Sequence, residues 1–155
     1  MSPDPYQRVS AIMTTPAICV DGRATLRDVS RALRDANIGA LVVLPGDRPM
    51  AVVSERDVVR ALADGADPDA VWAADIGTEE PRYVTPSHPV PRLAEEMLAA
   101  GIRHMPVVEE NEIVGMVGAR DALRSLTSTV LGGLPGAGPA GQASDLEREL
   151  AHLGG

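Results

Sequence analysis

The chain has 155 residues, of which 45% are hydrophobic, 23% charged and only 2% aromatic, and its formal net charge is −8. This acidic balance argues against attraction to nucleic-acid backbones or anionic membranes. The shortage of rings excludes surfaces that stack unpaired bases, and the absence of lysine excludes catalytic and phosphate-loop lysines.

The first part of the chain predicts alternating helices and strands. Leu26, Val29 and Leu33 recur at helical spacing, which predicts an amphipathic helix. It should end before Asn37, a residue that tolerates the left-handed backbone of a helix terminus. The elements expected beside it are a short helix at residues 9–13, strands at 17–20, 40–44 and 50–53, and a last helix that begins at Ser54.

The same pattern returns 64 positions later, where Ser54-Glu55-Arg56-Asp57 aligns with Gly118-Ala119-Arg120-Asp121. The register holds without a gap for about 50 positions, which predicts two tandem modules. The aligned pairs include Ile12 with Ile76, Val20 with Val84, Leu26 with Val90, Leu33 with Met97 and Val53 with Val117. The second set of elements is a helix at 69–76, a strand at 83–84, a helix from Val90 to before Gly101, strands at 106–108 and 112–117, and a helix from Gly118.

Element order and repeat together predict a mixed α/β (α+β) fold. One unit of about 60 residues buries little apolar surface, so we expect the two modules to pack with pseudo-twofold symmetry. Each module would contain a small three-stranded sheet with flanking helices, and two clefts would lie between the modules. The expected divisions are residues 1–66, 67–130 and 131–155. In the last, the Gly/Pro-rich stretch 132–141 predicts a linker, and 144–150 a short helix or a disordered tail.

Five stretches resemble the cystathionine-β-synthase (CBS) domain, in order and in both halves. They are VSAIMT at 9–14, NIGALVV at 37–43, VVSERD at 52–57, GIRHMPVV at 101–108 and VGMVGARD at 114–121. The resemblance covers residues 8–127 and extends to the small two-CBS, hypoxic-response-type proteins of actinobacteria. It implies a paired module, commonly a disc-like dimer. Such modules bind adenine nucleotides or S-adenosylmethionine between the repeats.

The Ser54-x-x-Asp57 motif at a helix start has two interpretations. Backbone N–H groups and the helix dipole welcome an anion there, Arg56 offers a bidentate fork, and Asp57 could accept from both hydroxyls of a ribose. The resemblance implies this ribose-binding role for the aspartate. The same spacing also fits a capping box, with Ser54 as the N-cap and Asp57 at the third helical position.

The second module departs from this motif, because Gly118 replaces the hydroxyl residue; in the first module, Ala51 replaces the glycine found at Gly115. Either site could therefore be degenerate. The resemblance places Arg103 and His104 near ligand phosphates, although His104 also fits a surface or interface histidine. Four apolar residues could form a slot for adenine or belong to the core. The predicted ligand-binding residues are Ile18, Ile38, Ser54, Arg56, Asp57, Ile102, Arg103, His104, Met105, Arg120 and Asp121.

Catalysis and metal binding find little support in the sequence. Cys19 is the single cysteine, so neither an intrachain disulfide nor a cysteine-based zinc site can form, and its apolar strand predicts an inert buried thiol. The three histidines lack metal-ligand spacing, and no nucleophile elbow or Walker-type loop is present. Without an apolar signal core or a membrane-spanning run, we expect a cytosolic protein.

These observations predict a non-catalytic sensor that requires no cofactor and binds no metal. The ligand would be AMP, ADP or ATP, ahead of S-adenosylmethionine. The protein would be a homodimer that signals by a change in the relative position of its modules, to its own dimer or to a protein partner. The alternative is a ligand-free dimeric interaction scaffold, which Gly118 and Ala51 favour.

Overall fold

The computed structural model describes residues 6–132. The helix or tail predicted at 144–150 lies outside the described residues, as does the predicted linker beyond residue 132. The elements in chain order are α1 (Val9–Ile12), β1 (Cys19–Val20), α2 (Leu26–Ala36), β2 (Ala40–Val43), β3 (Ala51–Ser54), α3 (Glu55–Ala63), α4 (Ala73–Ile76), β4 (Thr78–Glu79), α5 (Val90–Ala100), β5 (His104–Glu109), β6 (Glu112–Gly118) and α6 (Ala119–Gly132). From residue 6 to residue 132, none of these helices is long and apolar enough to span a bilayer.

The two amphipathic helices have the bounds that their apolar spacing predicts. In α2 the Thr25 side chain accepts from the backbone N–H of Asp28, which completes a capping box at the helix start. Both helices end on a residue in the left-handed region, Asn37 at φ 52° and Gly101 at φ 66°, as the sequence predicted. Their apolar faces are buried in separate cores, one for each half of the chain.

The two sheets share one plan. In the first, four strands follow the order β1-β2-β3-β4, with β1 parallel to β2 and the other pairs antiparallel. In the second, β5 and β6 pair, and isolated bridges join Val84 to Val107 and Thr14 to Met116. By the 64-residue shift, Val84–Val107 corresponds to Val20–Val43, and Thr14–Met116 corresponds to Thr78–Val52. The opening segment of each half, residues 9–14 or 73–78, therefore pairs with the sheet of the other half.

The opening helices cross between the halves. Val9 of α1 is fully buried in the core formed by α5, β5 and β6, whereas Ala73 of α4 is fully buried in the core of α2, β2 and β3. The sequence predicts three strands in each sheet. The structure adds a fourth pairing segment from the other half, which is β4 in the first sheet and Thr14 in the second. The domain divisions after residues 66 and 130 stay a prediction. Helices α1 and α4 each pack in the core on the other side of the first division.

A small residue is required where each opening segment crosses a strand. A Cβ on Gly115 would lie 2.7 Å from the backbone oxygen of Thr14 and 3.1 Å from Sδ of Met13. At the equivalent crossing the strand carries Ala51, and the opening segment carries Gly77, whose Cβ would lie 3.0 Å from that of Ala51. At this crossing the glycine lies on the opening segment instead of the strand, so Ala51 is accommodated.

A third apolar cluster joins the two sheets. Ala40, Val42 and Val52 of the first sheet pack there with Met116 of the second. Because the sheets meet through these side chains, the halves face each other about a pseudo-twofold axis, as predicted.

Several bounds differ from the predictions. Strand β1 begins at Cys19 rather than residue 17, β5 spans His104–Glu109 rather than 106–108, and the strand expected at 83–84 is an isolated bridge at Val84. Helix α4 begins at Ala73 rather than residue 69, because residues 69–72 turn against α2: the N–H of Leu26 donates to the carbonyl of Val71, and Arg27 pairs with Asp69 at 2.6 Å. Strand β4 had no apolar signal in the sequence. Helix α6 continues to Gly132 and includes two residues assigned to the tail.

Candidate functional site

Two clefts lie at equivalent places on opposite sides of the pseudo-twofold axis. We call them the Asp57 cleft, of about 580 Å³, and the Asp121 cleft, of about 520 Å³. The start of α3 bounds the Asp57 cleft, together with the opening segment of the second half and the turn after α5. The start of α6 bounds the Asp121 cleft, together with the opening segment of the first half and the turn after α2.

The capping interpretation of Ser54-x-x-Asp57 is confirmed. The backbone N–H of Ser54 donates to Oδ2 of Asp57 at 2.8 Å, its hydroxyl donates to the same oxygen at 2.9 Å, and the N–H of Asp57 donates to Ser54 Oγ at 3.3 Å. Oδ1 of Asp57 lies 3.7 Å from the Arg60 guanidinium. One carboxylate oxygen therefore holds the cap, while the other remains available to a ligand hydroxyl.

The equivalent carboxylate of Asp121 is held less firmly. The N–H of Gly118 donates to its Oδ2 at 3.1 Å, and no hydroxyl stands at position 118 to add a second bond. The Asp121 side chain is 32% exposed, against 16% for Asp57. The loss of the hydroxyl leaves the second carboxylate more exposed and with one fewer partner.

Arginines with free guanidinium groups surround the Asp57 cleft. Arg56, Arg82 and Arg103 line it, and none of them forms an ion pair or a side-chain hydrogen bond with another residue in the 6–132 range. Arg103 also lines the Asp121 cleft, together with Arg120. Such planar forks can each offer two parallel N–H groups to a phosphate.

His104 stands between the two clefts and lines both. Its ring lies so close to Gly39 that a Cβ there would meet Nε2 at 2.7 Å. Burial lowers the pKa of His104, against the opposing effects of the Glu55 and Asp121 carboxylates, and Arg103 lowers this pKa further. The lowered pKa favours a neutral imidazole at pH 7.

Ten of the eleven predicted site residues line a cleft. Ser54, Arg56, Asp57 and Ile102 line the Asp57 cleft, Ile18, Ile38, Arg120 and Asp121 line the Asp121 cleft, and Arg103 and His104 line both. Met105 is the exception, because it lies in the core of the second half and is 1% exposed. Side chains alternate along β5, so the orientation that brings His104 to the clefts turns Met105 away from them.

Sequence reasoning missed other lining residues. Thr14 and Thr78 are aligned by the 64-residue shift and line one cleft each, and Arg60 and Arg82 add charge to the Asp57 cleft. The repeat register could have identified the threonines, since both follow the opening helices. The register did not show that the opening segments carrying these threonines are exchanged between the halves.

Cys19 corrects one expectation, because it is exposed rather than buried. It lies on β1, one of the two edge strands of the first sheet among residues 6–132. Partial burial still raises the pKa of its thiol, which favours the unreactive protonated form. Within residues 6–132, no three or more His, Cys, Asp or Glu side chains cluster as metal ligands would.

The family model of the CBS domain matches residues 9–64 and 73–128. The chain therefore belongs to the CBS-domain family, and the tandem pair predicted from the repeat is confirmed. Proteins built from such pairs are generally regulatory and ligand-binding rather than catalytic.

Three known proteins show the range of the likeness. Hypoxic response protein 1 of Mycobacterium tuberculosis is 30% identical over 117 residues, 74% of this chain and 82% of that protein. The CBS domain pair of protein MJ0100, in complex with 5′-methylthioadenosine and S-adenosyl-L-methionine, has a TM-score of 0.71 at 22% identity and covers 80% of this chain and 98% of its own. A hexameric CBS-CP12 protein from bloom-forming cyanobacteria has a TM-score of 0.75 at 23% identity, covering 98% and 86%.

Proposed function

We propose that this chain is a non-catalytic sensor that binds an adenosyl ligand, with AMP, ADP or ATP ahead of S-adenosylmethionine. One observation carries the proposal. Each cleft brings together a capped helix start with its aspartate, at least two arginines and an isoleucine from the opposite half. These groups match the ribose, the phosphates and the base of an adenine nucleotide.

In the proposed complex, each part of the nucleotide has a partner in the Asp57 cleft. Oδ1 of Asp57 accepts a ribose hydroxyl, while Oδ2 keeps the cap of α3. The guanidinium groups of Arg56 and Arg103 donate to phosphate oxygens. Ile102, on the facing wall, provides an aliphatic surface for adenine. The ligand would be regulatory, and no cofactor is required.

The pseudo-symmetric packing provides a route for a signal. Ligand in either cleft contacts both halves, because one wall belongs to each half. Binding therefore favours one relative position of the halves over another. We propose that this change passes to a homodimer through exposed apolar side chains on the outer helices. These side chains are Val59 and Leu62 on α3, Leu98 on α5 and Leu123 on α6.

The same apolar side chains favour a second candidate, a ligand-free dimeric scaffold. Val59 and Leu123 are 66% and 65% exposed and occupy equivalent positions of the repeat. Both cleft aspartates are already engaged in helix caps. A scaffold would use the apolar surfaces and leave the clefts empty.

Thermal unfolding in the presence of AMP, ADP, ATP, NAD or S-adenosylmethionine separates these candidates. A ligand at 100 times its Kd stabilises the folded chain by about 2.7 kcal/mol. We expect such a shift with at least one adenine nucleotide, and we expect Asp57→Ala to reduce it more than Asp121→Ala does. Asp47→Ala is the matched control, since Asp47 is exposed and lines neither cleft.

The outcomes distinguish the two functions. No shift with any of the five ligands at millimolar concentration would contradict the sensor and leave the scaffold. A shift that both Asp57→Ala and Asp121→Ala leave unchanged would show that the ligand binds outside the clefts.

A further inference from the structure

The two clefts differ at one pair of equivalent positions in a way that changes their charge. Arg82 lines the Asp57 cleft, and Ile18, 64 positions earlier, lines the Asp121 cleft. Arg82 is exposed, and its guanidinium forms neither an ion pair nor a hydrogen bond with the described part of the chain. An arginine without a partner at the edge of a cleft is available to an anionic ligand.

The remaining charged residues balance in both clefts, so Arg82 alone sets the difference in net charge. Four arginines and three carboxylates line the Asp57 cleft: Arg56, Arg60, Arg82 and Arg103, with Glu55, Asp57 and Glu80. Two arginines and two carboxylates line the Asp121 cleft: Arg103 and Arg120, with Glu55 and Asp121. The first cleft is therefore net positive, whereas the charges of the second cancel.

The uncharged lining residues follow the same division. The Asp57 cleft has the hydroxyls of Ser54 and Thr78 beside its arginines. The Asp121 cleft keeps one hydroxyl, that of Thr14, but has Gly118 in place of the serine, and Ile18 extends its apolar lining where the other cleft has Arg82. Hydroxyls and free guanidinium groups favour a ligand with many phosphate oxygens, while an aliphatic lining favours a ligand that is mostly nucleoside.

We propose that the clefts take ligands of different charge: the Asp57 cleft binds a nucleoside polyphosphate, and the Asp121 cleft binds an adenosyl ligand with one phosphate or none. This division rests on the proposed function, because it assigns ligands within the same two clefts. Arg82 is its specificity-determining residue. Its guanidinium contacts the outer phosphates, which AMP lacks, so it discriminates ATP from AMP.

Isothermal titration with ATP, AMP and inorganic tripolyphosphate, on the full chain and two variants, tests the division. We expect Arg82→Ile to weaken ATP binding about tenfold and AMP binding less than threefold, since one charge-assisted fork to the outer phosphates is lost. Ile18→Arg should add a second ATP site. Tripolyphosphate should bind at least tenfold more weakly than ATP, because it lacks the nucleoside. Arg92→Ile is the matched control: it removes an exposed arginine that lines neither cleft.

The results separate this division from the sensor itself. Equal losses of ATP and AMP affinity in Arg82→Ile, or no loss of either, would overturn the division and leave adenosyl binding intact. Tripolyphosphate binding as tight as that of ATP would overturn the nucleoside assignment of the Asp57 cleft. Failure of the unaltered chain to bind any nucleotide would overturn the proposed function, and the division with it.

Discussion

The two halves of this chain have one backbone plan and two sets of side chains. Each crossing of an opening segment over a strand needs one glycine, which lies on the strand at Gly115 and on the opening segment at Gly77. Each final helix is capped by an aspartate, with a serine hydroxyl at one site and without it at the other. The repeat therefore sets the backbone position of each residue, and single differences between the halves decide which side chains are available for binding.

The largest expected effect comes from the crossing of the second half. Gly115→Ala places a methyl group 2.7 Å from the backbone oxygen of Thr14, and backbone cannot move aside as a side chain can. We expect a loss of about 2 kcal/mol in the free energy of unfolding, measured by urea titration. Gly46→Ala, with open space around it, should change stability by less than about 0.5 kcal/mol. Equal effects of the two substitutions would show that crowding at the crossing is unimportant.

The helix caps should differ next. Asp57→Ala removes the acceptor of two hydrogen bonds and should cost about 1 kcal/mol, while Asp121→Ala removes the acceptor of one and should cost about half as much. Chemical denaturation without ligand measures both. A larger loss for Asp121→Ala would contradict the ranking of the two caps.

A smaller effect should appear as the pH falls. The pKa of His104 is lower in the folded chain than its ordinary value near 6.5, chiefly because burial of the ring disfavours its charged form; the carboxylates of Glu55 and Asp121 oppose this effect, and Arg103 adds to it. Below about pH 6.5 the unfolded chain takes up a proton that the folded chain binds less readily, so stability is lost as the pH falls toward the folded pKa. We expect His104→Gln to lose less stability between pH 7 and pH 5 than the unaltered chain. An identical pH dependence would contradict this assignment.

The smallest effect tests whether the second cap can be made to resemble the first. A Cβ at position 118 would lie 3.4 Å from Oδ2 of Asp121 and 3.4 Å from Cδ2 of His104, so Gly118→Ser fits without displacement of backbone. We expect a gain of a few tenths of a kcal/mol in stability, measured by thermal unfolding. A loss of stability would mean that the hydroxyl disturbs the neighbouring His104 ring.

The sequence was sufficient to predict the pair of modules, the two long amphipathic helices and their left-handed termini at Asn37 and Gly101. It could not predict the exchange of the opening segments, because periodicity identifies an apolar face and not the core that buries it. It grouped Met105 with His104, since neighbours in sequence share a strand but not a side of it. Arg82 went unnoticed because its repeat partner is Ile18, and comparison of the halves draws attention to what they share. The cytosolic location stays a prediction.

The exchange of opening helices has a consequence for biosynthesis. Helix α1, the first helix of the described residues, packs in the core of the second half, which also contains α6. The second half therefore cannot finish its core until both ends of the described chain have come together, which gives this small protein contacts between residues more than 100 positions apart, as between Thr14 and Met116. A bulky group attached just before Val9 would consequently disturb the core of the second half more than that of the first half, to which it is attached.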